Sequence, residues 1–242
     1  IPADKYRITG LPRNDMLKLS SSRSNLEKLL GISLNNKKII FNMPTFHRFD
    51  ATNRIEGSSL LNDSVKIMNF DYDRFNRFLE DNNLICISKV HHGEEISITA
   101  KVKNRQYSNI LFINNDDLDE KDLSLYEILG AGDILITDYS TIYNDFLFMN
   151  KPIIFVTTDI DEYRKERGLA LEPYDFWTAG PKVETQKGLE EEILKYMANP
   201  NYYKEHREKL IPVFFKDYDA NSVKRTWCVI DESFGKLLKN KG

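Results

Sequence analysis

The residues best suited to chemistry form three polar groups, each placed directly after a short apolar run. The first group is the turn at residues 137–141, which contains Asp138, Ser140 and Thr141 and follows the apolar run 133–136. Such a run between turn formers is typical of a buried parallel strand, and a helical pattern begins after the turn. The N–H groups at a helix N-terminus beyond a strand attract anions. The turn is therefore the first candidate for a phosphate site.

The second and third groups hold histidines and basic residues. Lys89 and His91 lie at the end of another apolar run, and a histidine there can donate to a phosphate oxygen or transfer a proton. His47 and Arg48 follow the first apolar run of the chain, in the polar stretch 45–63. Arginine is suited to bidentate phosphate contact. A plain surface-loop position is the alternative that the sequence leaves open for these residues.

The acidic candidates are Asp138 and Asp145, either as a base or as metal ligands. On spacing alone, a helix cap for Asp138 and an exposed helical carboxylate for Asp145 are equally good interpretations. No pair of acidic residues has the spacing of a metal site, so no metal is expected. Arg167, which precedes Gly168, is most simply the C-terminus of a short charged helix.

Five short strands alternating with helices must position these groups. The predicted strands cover residues 39–41, 84–90, 110–113, 133–136 and 153–156, and the last helices cover 189–197, 202–210 and 222–238. This alternation predicts an α/β fold, a doubly wound, Rossmann-like parallel sheet with both faces covered. Residues 1–15 and the acidic stretch 114–119 are predicted to be loops, and the segment from Pro173 to Pro181 is predicted to be irregular. No G-x-G-x-x-G turn follows the first strand, which argues against a dinucleotide oxidoreductase.

Composition narrows the class of protein. The 242 residues are 41% hydrophobic and 29% charged, with a net charge of −3, so no basic field or aromatic–basic stripe indicates a nucleic-acid partner. Cys86 and Cys228 are far apart, which fits a reducing compartment better than a disulfide framework. No apolar run approaches the roughly 20 residues that a membrane helix needs.

The domain organisation is predicted from the opening segment. Its first fifteen residues resemble a segment arriving from an upstream part of a longer protein. Residues 1–35 are interpreted as an incoming linker with a short helix that ends at Gly31. Residues 36–242 are interpreted as one Rossmann-like domain with C-terminal helices.

Several short motifs occur in an order that resembles one known family. The motifs are Gly10-Leu11-Pro12-Arg13-Asn14-Asp15, Pro44-Thr45-Phe46 with Arg48, Lys89-Val90-His91, Leu135-Ile136-Thr137-Asp138-Tyr139-Ser140 with Asp145-Phe146, Lys151-Pro152-Ile153-Ile154-Phe155, Asp161-Glu162-Tyr163, Arg167-Gly168 and Gly180-Pro181. The ordered set resembles the CDP-glycerol glycerophosphotransferase family, the polymerases and primases of wall teichoic acid and related capsule polymers. The resemblance extends from Tyr6 to Arg225.

The resemblance implies a GT-B architecture of two Rossmann-like domains, of which this chain matches the C-terminal, donor-binding one. It implies that CDP-glycerol or CDP-ribitol is the substrate, with no cofactor. An acceptor hydroxyl then attacks the phosphate next to the polyol and expels CMP. The site residues that it implies are His91, Arg48 and Asp145 as catalytic residues, and His47, Lys89, Asp138, Ser140, Thr141 and Arg167 as substrate-binding residues. The family's catalytic base is a histidine of the N-terminal domain, which has no counterpart here, so this chain alone is expected to bind nucleotide weakly and to catalyse little.

Two departures from the family pattern keep alternatives open. His47 takes the place of the usual arginine and Arg48 follows it, so either residue can meet phosphate. His91 is followed by His92 instead of proline, which alters the loop. The alternatives are a GT-B glycosyltransferase that uses a UDP-sugar and a non-catalytic nucleotide-binding module.

The implied partners follow from the family's chemistry. They are a CDP-polyol donor, a lipid-linked polymer acceptor and the protein's own N-terminal domain. The lipid-linked acceptor implies a cytoplasmic protein, peripheral on the inner face of the cell membrane. Basic residues near the C-terminus are too few to indicate membrane contact independently.

Overall fold

The structure, a computed structural model, describes residues 6–45, 64–89 and 107–239. Its centre is a six-stranded parallel sheet with the order β3-β2-β1-β4-β5-β6. The strands are β1 (Lys38–Asn42), β2 (Leu84–Lys89), β3 (Ile110–Ile113), β4 (Ile134–Thr137), β5 (Ile153–Val156) and β6 (Lys182–Val183). This order is that of a doubly wound sheet, which confirms the predicted fold class and the five predicted strands.

Helices cover both faces of the sheet. They are α1 (Pro12–Asp15), α2 (Ser22–Leu30), α3 (Tyr72–Asp81), α4 (Asn115–Glu120), α5 (Leu125–Leu129), α6 (Ile142–Leu147), α7 (Ile160–Glu166), α8 (Tyr174–Trp177), α9 (Gln186–Ala198), α10 (Lys204–Phe214) and α11 (Ser222–Lys239). Alternate strand residues point to opposite faces, so Phe41 and Leu135 pack with α2, α5 and α6. Ile40 and Ile136 pack with α3 and α9 on the other face. The strands are therefore buried on both sides, as their continuous apolar runs predict.

The predictions of two loops and of one irregular segment were wrong. The acidic stretch forms α4 because Asn114 Oδ1 accepts from Asp117 N and Asp117 Oδ2 accepts from Asn114 N, both at 2.8 Å. This reciprocal capping box satisfies two N–H groups at the helix start. The predicted opening loop contains α1, which begins at Pro12. The segment predicted to be irregular contains α8, and β6 follows it directly.

The first part of the chain packs into the same core as the sheet. Leu17 and Leu26 are buried in one cluster with Phe41 and Leu129. The predicted short helix is α2, and it ends at Gly31, whose φ of 66° lies in the left-handed region that favours glycine. The division of the chain at residue 35 stays a prediction.

Candidate functional site

Three neighbouring strands bring their carboxyl ends to one rim of the sheet. Asn42 of β1 lies opposite Ser88 of β2 and opposite Ile136 of β4. The chain winds in opposite directions from β1, so the gap between β1 and β4 is the topological switch point at which doubly wound sheets bind ligands. Lys89 and Ser140 lie at this rim, at the end of β2 and just beyond β4.

A buried polar network lies directly under the rim. Asn42 Nδ2 donates to Ser64 O at 2.7 Å and to Ser88 Oγ at 3.0 Å. Thr137 Oγ1 donates to Met43 O at 2.8 Å. These contacts fix the three strand ends relative to one another, because each buried polar group would be costly without its partner. Asn42 and Ser88 were missed as site residues, although a polar residue at the end of each apolar run was the available signal.

Asp138 joins the turn after β4 to the loop after β1. Its side chain is buried, with the residue 2% exposed. Its Oδ1 accepts from Thr45 Oγ1 at 2.6 Å, from Thr45 N at 2.7 Å and from Ser140 N at 3.0 Å, and its Oδ2 lies 2.8 Å from Thr45 N. The carboxylate is therefore already committed to donors of the protein itself.

The hydroxyl residues of the turn lie nearer the surface. Ser140 is half-buried and Thr141 is exposed. The helix that follows, α6, has only six residues, and the backbone N–H of Ser140 is taken by Asp138. The two side-chain hydroxyls are consequently the better candidates for contact with an anion at this turn.

An aromatic cluster supports the turn from the side of β5. Tyr139 donates its hydroxyl to Asp159 Oδ1 at 2.9 Å and stacks on Tyr163 with ring centroids 4.3 Å apart. Tyr174 donates to the backbone carbonyl of Asp138 at 3.1 Å. Burial, and then the charge of Asp159, raise the pKa of Tyr139 well above its usual value. The turn is thus held rigidly from both sides.

A cavity of about 200 Å³ lies between this cluster and α6. Its lining includes Thr141, Asn144, Tyr163 and Trp177, together with the loop at residues 168–171. Five of its thirteen lining residues are aromatic, and Asp138 and Tyr139 of the turn also line it.

Asp145 is a buried residue of α6 and is held by two partners. Tyr126 donates its hydroxyl to Asp145 Oδ2 at 2.8 Å, and Arg13 Nη2 lies 3.2 Å from the same oxygen. The side chain of Asp145 is 4% exposed, whereas that of Arg13 is 51% exposed. Burial, followed by the hydrogen bond to Asp145, raises the pKa of Tyr126 above its usual value. The carboxylate links α6 to Arg13 of the motif Gly10–Asp15. A catalytic role for Asp145 stays a prediction.

The basic candidates differ in their surroundings. Lys89 is half-buried at the end of β2, and burial lowers the pKa of its ammonium group. Arg167 is exposed and follows α7, where its backbone N donates to Tyr163 O at 2.9 Å. The following Gly168 has a φ of 74°, as expected of a helix stop. Substrate contacts for both residues stay predictions.

Three predicted site residues, His47, Arg48 and His91, lie outside the described residues. In the sequence, His47 and Arg48 come two and three positions after Thr45, and His91 comes two positions after Lys89. Within residues 6–45, 64–89 and 107–239, no three His, Cys, Asp or Glu side chains are grouped as metal ligands. None of the helices in these ranges is both long and apolar enough to cross a bilayer.

The sheet order and the position of its switch point are those of a Rossmann-like half of a GT-B fold. The wall teichoic acid polymerase TagF has the same fold over the whole of this chain, with a TM-score of 0.65 and 23% identity, and 54% of its own chain is covered. A variant of TagF soaked with CDPG matches 98% of this chain and 53% of its own, with a TM-score of 0.69 and 22% identity. At this identity the likeness shows the fold alone.

A family model described as CDP-glycerol:poly(glycerophosphate) glycerophosphotransferase matches residues 1–231. The chain belongs to this family, as the resemblance of its motifs predicted. It is 31% identical over 235 residues to a teichoic acid glycerol-phosphate transferase of Staphylococcus aureus (strain NCTC 8325 / PS 47), which covers 93% of this chain and 54% of that protein. It is 28% identical to the teichoic acid ribitol-phosphate polymerase TarL of the same strain, with 90% of this chain and 35% of that protein covered. The chain spans about half or less of the length of these relatives.

Proposed function

We propose that the chain is the donor-binding domain of a polyol-phosphate transferase. The whole protein transfers glycerol phosphate or ribitol phosphate from a CDP-activated polyol to a hydroxyl of a growing teichoic-acid-like or capsule polymer and releases CMP. The observation that carries this proposal is the meeting of the ends of β2, β1 and β4 at the switch point. The family's phosphate-binding motifs follow those three strand ends in this chain.

The chemistry that this rim supports is phosphoryl transfer. Such a reaction needs mainly positioning and stabilisation of charge on the non-bridging oxygens. In the proposal, Arg48, His91 and Lys89 supply positive charge, and Ser140 and Thr141 donate hydroxyl hydrogen bonds to the diphosphate. No resident cofactor takes part, since the donor carries the activated phosphate.

The remaining residues have supporting roles in the proposal. His47 is an alternative phosphate contact to Arg48, and Asp145 orients α6 through its bond to Tyr126. Arg167 contacts the donor or the incoming polymer from the end of α7. A base from an N-terminal acceptor domain takes the proton of the attacking hydroxyl.

The proposed partners extend beyond this chain. They are the CDP-polyol, a lipid-linked polymer acceptor and the N-terminal domain of the same protein, and nucleic acid is not among them. The proposed location is the cytoplasm, at the inner face of the cell membrane. A lipid-linked acceptor supports this location, because its lipid end stays in the bilayer.

Titration calorimetry of the chain with CDP-glycerol, CDP-ribitol and UDP-N-acetylglucosamine tests the donor class. We expect heat of binding with at least one CDP-polyol and a weaker signal with the UDP-sugar. Tighter binding of the UDP-sugar would favour a GT-B glycosyltransferase. Binding of CDP-polyols without any release of CMP by the full-length protein would favour a non-catalytic module.

A further inference from the structure

We propose that Asp138 is a positioning residue, which fixes the loop after β1 against the turn after β4 and does not bind the donor itself. This inference rests on the proposed function, because it assumes that the donor lies between these two segments. Asp138 and Thr45 belong to different strand ends, and their contact spans the switch point. The contact therefore determines the distance between these two segments, which is the width of the proposed phosphate site.

The contacts of the Asp138 carboxylate argue against direct donor binding. Both oxygens lie within hydrogen-bond distance of Thr45 N, and Oδ1 also accepts from Thr45 Oγ1 and Ser140 N. The residue is 2% exposed. A carboxylate in contact with a diphosphate would also repel it at this short range. The carboxylate instead accepts charge-assisted hydrogen bonds from Thr45 and Ser140 of the protein itself.

The backbone of Asp138 is fixed as well as its side chain. Tyr174 donates its hydroxyl to the carbonyl of Asp138 at 3.1 Å, and this bond is buried. The residue that carries the carboxylate is therefore also held through its backbone carbonyl. Thr45 is thus bound to a rigid point, and the short stretch from Thr45 to Arg48 begins from that point.

This arrangement predicts an effect on turnover larger than the effect on affinity. Phosphoryl transfer depends on the alignment of the donor phosphate between Thr45 and the hydroxyls of Ser140 and Thr141, and a misplacement of about 1 Å can cost about 100-fold in rate. Loosening the contact removes none of the proposed donor-binding groups from the protein. The donor still binds, but its phosphate is aligned less often.

Graded variants of the full-length protein test the inference. Asp138→Asn removes the charge and sets an N–H₂ group against Thr45 N, which faces both oxygens of the carboxylate, and we expect kcat to fall by roughly 10- to 100-fold. Thr45→Val removes only the hydroxyl donor, and a smaller loss is expected. Thr45→Ser keeps that hydroxyl and is expected to retain wild-type kcat. The double variant Asp138→Asn/Thr45→Val is expected to be no worse than Asp138→Asn alone, because both changes break one contact.

Three measurements separate positioning from its rivals: kcat, the affinity for CDP-glycerol by calorimetry, and the thermal midpoint. Positioning predicts a fall in kcat with nearly unchanged affinity, and rescue of the threonine site by serine. A loss of affinity equal to the loss of kcat/KM, with Thr45→Val silent, would show that Asp138 contacts the donor and would overturn the inference. A lowered thermal midpoint with unchanged kcat would show that the contact only stabilises the fold, and this result would also overturn the inference.

The outcome for the wild-type protein keeps the two proposals apart. Wild-type turnover of a CDP-polyol with additive effects of the two substitutions would overturn the positioning role alone. No turnover of any CDP-polyol by the wild-type protein would overturn the proposed function and this inference with it.

Discussion

Asp15 caps the N-terminus of α11, although 207 positions separate it from Ser222. Its Oδ1 accepts from Ser222 N at 3.0 Å and its Oδ2 accepts from Val223 N at 2.8 Å. Arg225 of the same helix donates from Nε to Thr9 O at 2.9 Å. The motif Gly10–Asp15 therefore holds the C-terminal helix α11. The negative charge of Asp15 also interacts favourably with the positive end of the helix dipole.

Asp15→Ala is expected to lower the free energy of unfolding by about 1–2 kcal/mol, the usual cost of losing an N-terminal cap. The measurement is urea denaturation followed by circular dichroism. Asp231→Ala removes an exposed carboxylate from α11 itself and is the matched control. Equal stability of the two variants would show that the cap contributes nothing beyond charge.

Asp145 and Tyr126 are expected to be energetically coupled. Asp145→Ala leaves the half-buried Tyr126 hydroxyl without its acceptor and is expected to cost about 1–3 kcal/mol, whereas Asp145→Asn keeps an acceptor and costs less. Stability is measured by chemical denaturation of both variants, of Tyr126→Phe and of Tyr126→Phe/Asp145→Ala. We expect the double variant to lose less than the sum of the single losses. Strict additivity would argue that Arg13 alone holds the carboxylate.

The sequence predicted the elements that are determined locally. β1 to β5 are runs of apolar residues, and their burial on both faces follows from that composition. β6 has only two residues, Lys182 and Val183, so it has no apolar run of its own. It is a strand because it pairs with β5. α4 was missed because four of its six residues, Asn115-Asp116-Asp117-Leu118-Asp119-Glu120, are acidic, although Asn114 and Asp117 stabilise its start.

The partners within the candidate site were less predictable than its location. That polar turns gather at one rim follows from the parallel sheet. The acceptor for Thr45 lies 93 positions away, and Arg13, one of the two partners of Asp145, lies 132 positions away. Such contacts depend on how the crossovers pack, so spacing along the chain could suggest Asp138 as a cap but could not reveal what it binds.

The buried thiol of Cys86 predicts a pH dependence of stability. Burial raises the pKa of Cys86 from 9.0 to about 12. The unfolded chain therefore loses this proton at lower pH than the folded chain does. The contribution of Cys86 to the free energy of unfolding is complete below pH 9.0 and is lost as the pH rises towards 12. The free-energy difference between wild type and Cys86→Ala is expected to shrink by up to about 1.4 kcal/mol per pH unit in that window.

Urea denaturation in steps from neutral pH to about pH 10 measures this difference, since tyrosine ionisation cancels between the two proteins. Cys228→Ala removes an exposed thiol and serves as the control. A Cys86→Ala difference that stays constant across this range would contradict the prediction.

Lys89→Met is expected to weaken CDP-glycerol binding by about 10-fold, the worth of one charge-assisted hydrogen bond. Lys89→Arg keeps the charge and is expected to recover part of the affinity. Because burial lowers the pKa of Lys89, its contribution is lost at a lower pH than that of an exposed lysine. Calorimetry of the chain at neutral and alkaline pH measures both effects. Lys187→Met, at an exposed position of α9, is the control, and an equal effect of this variant would mean that Lys89 acts only through net charge.

His91→Ala in the full-length protein is expected to reduce turnover of CDP-glycerol by about 100-fold or more, as the loss of a principal charge stabiliser does. His91 follows Lys89, the last residue of β2, by two positions in the sequence. His92→Ala is the matched control, because it removes a histidine from the next position of the sequence. His206→Ala is a second control on α10, where Nε2 lies 2.8 Å from Phe176 O. Release of CMP is the readout for all three variants, and near-normal turnover by His91→Ala would refute the assignment of this histidine to the phosphate site.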